Sequence, residues 1–249
     1  GYQLGNFPKN WYEWNDKFRD DVRRFWRGDA WSANAMATRL AGSSDVFVSK
    51  GKPSRSINFI AAHDGFTLND LLHFTQKNNL ANGENNRDGK NHEVTCPGSK
   101  ALALLSSLLF SRGTPMLTAG DEFGRTQGGN NNAYAQDNET TWLDWEHRNT
   151  KLENQFGELV KLKRELDDVL GDTFLNGHAG NAPHPDVSWF GADGHSLNWS
   201  ADNNRSFAMV LAAVSRRICI FINGASTAQG LHVTAASGKL WRNLTGNGL

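Results

Sequence analysis

Apolar positions follow two kinds of pattern along the chain, and the change between them comes near residue 171. Before it, helical and buried-strand patterns alternate. Phe18, Val22, Phe25 and Trp26 recur at i, i+4, i+7 and i+8, which predicts an amphipathic helix over 15–26. A shorter helix is expected over 33–41, stopped by Gly42. Residues 56–62 form the short apolar run of a buried parallel strand, ending abruptly in His63-Asp64-Gly65. A helical stretch over 67–75 follows, then a long polar loop over 78–98 of the kind that compact domains keep for function. Leu102, Leu104, Leu105, Leu108 and Leu109 mark a well-buried helix over 99–111, and Gly113 stops it. Residues 114–119 read as a second buried strand, again ending in charge at Asp121-Glu122. A second Asn/Gly loop runs over 126–138, and Leu152, Phe156, Leu159, Leu162 and Leu166 share one face of a helix over 150–170.

This strand–helix order, with charges at the C-terminal ends of strands, is the grammar of a parallel α/β fold, in which those ends carry the chemistry. After a Gly/Pro/Asn linker over 171–185 the period becomes two. Short strands are expected at 187–190, 196–199, 207–214, 217–222, 231–235 and 239–244, an antiparallel β domain over 186–249. Length adds a constraint. A complete (β/α)8 barrel takes about 250 residues, and the α/β portion, 1–170, offers only about three strand–helix units. If it belongs to a barrel it is the last part of one, with an open sheet edge where the remaining strands would pair.

Composition narrows the function. The chain has 249 residues with 26 basic and 26 acidic side chains. That neutral balance argues against nucleic-acid and membrane-surface partners, which favour a basic excess. Its two cysteines, Cys96 and Cys219, form neither a disulfide framework nor a metal-binding pair, and a cytoplasmic location is the default. The histidines show no ligand spacing, so no metal and no cofactor is expected. No apolar run is long enough to span a membrane. The first residue is Gly1 rather than Met, which reads as a piece of something longer. Nine tryptophans are an excess that suits either a thick core, the more frequent role, or stacking on flat ligands such as sugar rings.

At the end of the first apolar strand, His63 and Asp64 can bind sugar hydroxyls or supply half of an acid/base pair. Asp64 can equally cap the following helix. Around them lies an ordered set of motifs: Gly1-Tyr2-Gln3-Leu4-Gly5-Asn6-Phe7-Pro8, Glu13-Trp14-Asn15-Asp16-Lys17-Phe18-Arg19-Asp20, Asn58 through Asp70, Asn82-Gly83-Glu84-Asn85-Asn86-Arg87-Asp88-Gly89, Gly113-Thr114-Pro115-Met116-Leu117, Gly120 through Gln127, and Asn130 through Asn138. Together they resemble the bacterial glycogen debranching enzymes, isoamylase-type members of the α-amylase family of glycoside hydrolases. The likeness is dense over 1–200 and loose beyond.

The resemblance implies the C-terminal portion of a catalytic (β/α)8 TIM barrel followed by an antiparallel β-sandwich. It implies hydrolysis of α-1,6-glucosidic branches in glycogen or limit dextrin by a retaining mechanism, which needs two carboxyl groups about 5 Å apart. Asp64 matches the family's third carboxylate, which steadies the transition state, and His63 matches its sugar-binding neighbour. Glu84, Arg87, Asp88, Tyr134 and Asp137 lie in loops that border the family's substrate groove. The family's nucleophile Asp and general acid Glu precede the Gly1–Pro8 motif, so both are expected upstream of Gly1. The partners implied are a branched α-glucan and the N-terminal barrel half. Two alternatives stay open: a glucan-binding fragment without catalysis, and another debranching hydrolase of the isoamylase kind.

Overall fold

The computed structural model describes residues 1–180 and 182–246; Asn181, in the expected linker, and the last three residues of the expected β domain lie outside the described residues. The first sheet is parallel and its strands are short: β1 (Glu13–Asn15), β2 (Ser56–Asn58) and β3 (Thr114–Pro115), side by side in chain order. Glu13 pairs with Ser56, Asn15 with Asn58, and Ile57 with Thr114. Helices α1 (Asp16–Arg27), α2 (Ser32–Leu40) and α3 (Ser44–Phe47) connect the first two strands. The short α4 (Asp70–His73) and the longer α5 (Ala101–Phe110) connect the second and third, and α6 (Thr150–Glu165) with α7 (Asp167–Leu170) follows. The parallel α/β order is the one expected.

Why α1 begins where it does is visible in one residue. Asn15 ends β1, and its side-chain oxygen accepts the Phe18 N–H at 2.9 Å as the helix N-cap. Its amide also donates to Ser43 Oγ at 2.9 Å and Ser56 Oγ at 2.8 Å. At the other end Gly28, at φ 108°, takes the left-handed conformation that closes the helix. The expected stripe is the buried one: Phe18, Val22 and Phe25 are fully buried.

The strand expected over 56–62 is laddered only as far as Asn58. Beyond it the backbone carbonyls bond to side chains instead of a neighbouring strand. Ile60 O accepts from Arg23, and Ala61 O accepts from Thr118 Oγ1 at 3.2 Å. The strand expected over 114–119 likewise shortens to two residues. β1 itself carried no sequence signal, because Glu13-Trp14-Asn15 alternates buried polar with exposed aromatic positions.

The second sheet is antiparallel: β4 (Val187–Gly191), β5 (Ser206–Ala212) and β6 (Arg217–Asn223), paired in that order. The expected strand at 196–199 contributes a single bridge, Ser196 to Phe190. Residues 231–235 and 239–244 are irregular, correcting two expected strands. They run as a strap tied to the sheet at two points, the His232 N–H donating to Ala192 O just past β4 and Arg217 of β6 lying over the Trp241 ring, while the Trp241 indole donates to Val233 O within the strap. A second β layer, which a sandwich requires, is absent among the described residues. Helices take its place: Phe207, Met209 and Leu211 on β5 belong to the same buried cluster as Phe18, Val22 and Phe25 on α1. The Phe25 and Phe207 rings meet edge-on at 5.6 Å. Arg205 stacks on Phe25 at 4.6 Å and donates to the carbonyls of Phe25 and Gly224. No helix among the described residues is long and apolar enough to cross a membrane.

Candidate active site

His63 and Asp64 stand at the C-terminal mouth of β2, both largely exposed, with His63 Nε2 3.6 Å from Asp64 Oδ1. Trp14 from β1 leans on Phe59 at 5.6 Å and meets the His63 ring edge-on at 5.7 Å, giving the mouth one aromatic wall. Asp64 does not cap α4, whose N-terminal carboxylate is Asp70 and lies buried. Its carboxylate is left facing solvent.

The turn that presents Asp64 is held from beneath. Gly65 has φ +99°, and a Cβ there would come within 2.7 Å of the Glu93 carboxylate, so only glycine fits. Glu93 accepts the Phe66 N–H at 3.2 Å and the Asn131 amide at 2.9 Å, and it pairs with Arg23 at 3.4 Å. Arg23 is 2% exposed. Its remaining donors go to Ile60 O, at 2.6 and 2.8 Å, and to Val94 O at 3.3 Å. Burial lowers its pKa to about 10, opposed by Glu93, so the guanidinium stays charged at neutral pH. Sequence patterning missed both residues. Arg23 sits at the border of the α1 stripe, where it reads as solvated, and Glu93 lies inside the polar loop. The one available signal was a charged residue flanked on its helix by Val22 and Trp26.

The two Asn-rich loops form one lattice. Asn79 exchanges hydrogen bonds with Asn131, donating to Oδ1 at 2.9 Å and accepting from the N–H at 2.9 Å. Asn82 and Asn130 do the same across their amides, with the shorter bond at 2.7 Å. Asn131 O accepts the Gly65 N–H at 3.1 Å, which ties the lattice to the Asp64 turn. Asp88, expected to touch substrate, is used inside this lattice: its Oδ2 accepts from Asn82 at 2.6 Å and Asn132 at 2.9 Å. Those two amides, Asn132 first, hold its carboxyl below the ordinary range. Asp137 accepts the Trp142 indole N–H at 2.9 Å. Glu84 and Arg87 form an exposed pair at 3.7 Å, and Tyr134 is 88% exposed. Among the described residues no hydrogen bond or ion pair joins these last four to His63 or Asp64. No three His, Cys, Asp or Glu side chains among them gather as a metal site.

Asp121, after β3, is buried and accepts the Leu68 N–H at 3.1 Å. Burial pushes its carboxyl up to about 7, against the pull of the Leu68 N–H and Arg125. The unfolded value is about 3.9. Between the two the folded chain holds a proton that the unfolded chain has lost, so this group makes stability fall as pH rises from about 4 to 7. In urea titrations across that range, Asp121→Asn is expected to flatten the decline. An unchanged slope would show that Asp121 is ionised throughout.

No protein-family model matches the chain. The glycogen debranching enzyme of Escherichia fergusonii is 46% identical over 80% of this chain and 32% of its own length. That of Yersinia enterocolitica is 41% identical over 94% of this chain and 37% of its own length. Among solved structures, pullulanase from Bacillus acidopullulyticus superposes with a TM-score of 0.61 at 18% identity, covering 90% of this chain and 26% of the pullulanase, a likeness of fold. The chain therefore spans about a third of the length of the curated relatives it matches. At 46% identity over 80% of its length and 41% over 94% to these two enzymes, the chain belongs to the family of bacterial glycogen debranching enzymes.

Proposed function

We propose that this chain forms part of a glycoside hydrolase that cleaves α-1,6-glucosidic branches of glycogen-type glucans, acting in the cytoplasm. The observation that carries the reading is the exposed His63–Asp64 pair at a strand mouth, rigidly supported from below, in a chain 38–46% identical to proteins named for glycogen debranching or the glycogen operon. In a retaining mechanism one carboxylate attacks the anomeric carbon while a carboxylic acid protonates the leaving oxygen, and water then reverses the sequence. Asp64 is assigned neither role. It is the third carboxylate, accepting hydroxyl protons of the distorted sugar and offsetting the positive charge that grows on the ring. His63 donates to a hydroxyl of the same sugar, and Trp14 excludes water from one side of the mouth. Glu93, the carboxylate beneath the turn, is occupied by Arg23, Phe66 N–H and Asn131. Nucleophile and general acid come from residues outside this chain, in the rest of a (β/α)8 barrel whose strands pair with the edges of the β1–β2–β3 sheet. Glu84, Arg87, Tyr134 and Asp137 border the groove through which the branch enters, and Asp88 shapes it.

Reducing-end release from phosphorylase-limit dextrin tests this. The 249-residue chain alone is expected to release nothing. A chimera in which it replaces the segment it matches in the Yersinia enterocolitica relative is expected to restore debranching. Release by the chain alone would refute the assignment of nucleophile and acid to residues outside it, and a folded but inactive chimera would sink the functional reading.

A further inference from the structure

Away from the mouth, a groove of about 320 Å³ runs between α2 and the second sheet. One wall is aromatic: the Trp189 and Trp199 rings stand edge-to-face at 5.6 Å, and neither indole N–H has a hydrogen-bond partner among the described residues. The other wall is the face of α2 that carries Asn34 and Thr38, one turn apart, continued by Ala41 just past the helix end, with Ala37 beside them. The alanines leave the floor low, so a flat ring can approach the helix closely. Asn34 Nδ2 donates to Trp199 O at 3.1 Å, which fixes the position of the tryptophan and leaves the amide oxygen of Asn34 free to accept. Thr38 Oγ1 donates to Asn34 O and keeps its own lone pairs.

No lining residue is charged. The groove therefore offers a charged ligand no counter-charge and suits a neutral one. Two indoles suit a ring with an apolar C–H face, and the amide, hydroxyl and free indole N–H groups suit a rim of hydroxyls. One turn before Asn34, Trp31 is 62% exposed and sits at φ +60°, a conformation unusual for a bulky residue. Its backbone N–H is held by Asp202 O, in the loop that follows Trp199. Strain of this kind persists only where the surroundings enforce it. Here it keeps a third indole outside the core, on the same end of α2.

We infer that the Trp189–Trp199–α2 groove is a second glucan-binding site, separate from the mouth, that holds a short stretch of linear, neutral pyranose chain. That the chain is α-1,4-linked glucan rests on the function proposed above. Such a site would retain an outer branch of the polymer while another branch occupies the mouth, raising the effective concentration of branch points by linkage rather than by contact.

Maltoheptaose binding to the 249-residue chain, followed by calorimetry, tests this beside affinity electrophoresis in glycogen gels. Trp199→Ala is expected to weaken binding about tenfold, with Trp199→Phe restoring most of it. Thr38→Arg, on a half-exposed helix position, is expected to block the groove without disturbing the core; circular dichroism confirms that each variant is folded. His63→Ala with Asp64→Asn is expected to leave this binding largely intact. Unchanged binding in both groove variants, or no wild-type binding at millimolar sugar, would overturn the inference. Loss confined to the mouth variant would also overturn it, yet would uphold the proposed function, which the chimera judges independently.

Discussion

Asp64→Asn in the debranching chimera is expected to lower kcat on limit dextrin by about a thousandfold, with KM changed by no more than a few-fold. The carboxylate is exposed and makes no hydrogen bond within the described residues, so its replacement by an isosteric amide disturbs neither fold nor loop lattice. What disappears is a negative charge facing the sugar as positive charge develops there. Interactions made only in the transition state lower kcat when lost, and removing one preorganised group of this kind typically costs about 10²–10³ in kcat. A rise in KM with kcat retained would mean that Asp64 merely binds ground-state hydroxyls.

Arg23→Met is expected to destabilise the 249-residue chain by about 3–5 kcal/mol, the usual consequence of stranding one half of a buried ion pair. Glu93 would keep its charge without its cation, and the Ile60 and Val94 carbonyls would lose their donors. The double variant Arg23→Met/Glu93→Gln is expected to recover part of the loss, since it removes the stranded charge. Urea unfolding measures both. A single-variant cost below about 1 kcal/mol would show that water reaches the pair. Because Ile60 lies three residues before His63, the same variant in the chimera should also lower turnover.

The contrast between these two residues shows what patterning can see. The stripe of α1, the leucine-rich α5 and the face of α6 were legible because burial of an amphipathic helix writes a 3.6-residue period into the sequence. The mouth at His63–Asp64 was legible because an apolar run ended abruptly in polar side chains. Arg23 and Glu93 were not, since their pairing is a fact of tertiary contact across about seventy positions with no periodic trace. β1 was missed for a related reason: a three-residue strand with Glu13 and Asn15 facing inward and Trp14 outward has no strand signature, and Asn15 is buried only because Ser43 and Ser56 come to meet it. The strands expected at 231–235 and 239–244 erred in the opposite direction. Alternation supplies a face, but a strand also needs an edge to pair with, and this strap finds only isolated hydrogen bonds. Trp189 and Trp199, which fall in the strands expected at 187–190 and 196–199, gained meaning only when α2 was placed against them.

Phe25, finally, touches both halves of the molecule. Its ring packs on Phe207 of the second sheet, its carbonyl receives Arg205, and its helix lines the first sheet. The chain boundary suggested by composition at 171–185 is thus not a seam in the core. Severing it would strip apolar cover from α1 and β5 at once, so heat or denaturant meets one cooperative unit rather than two that melt in turn.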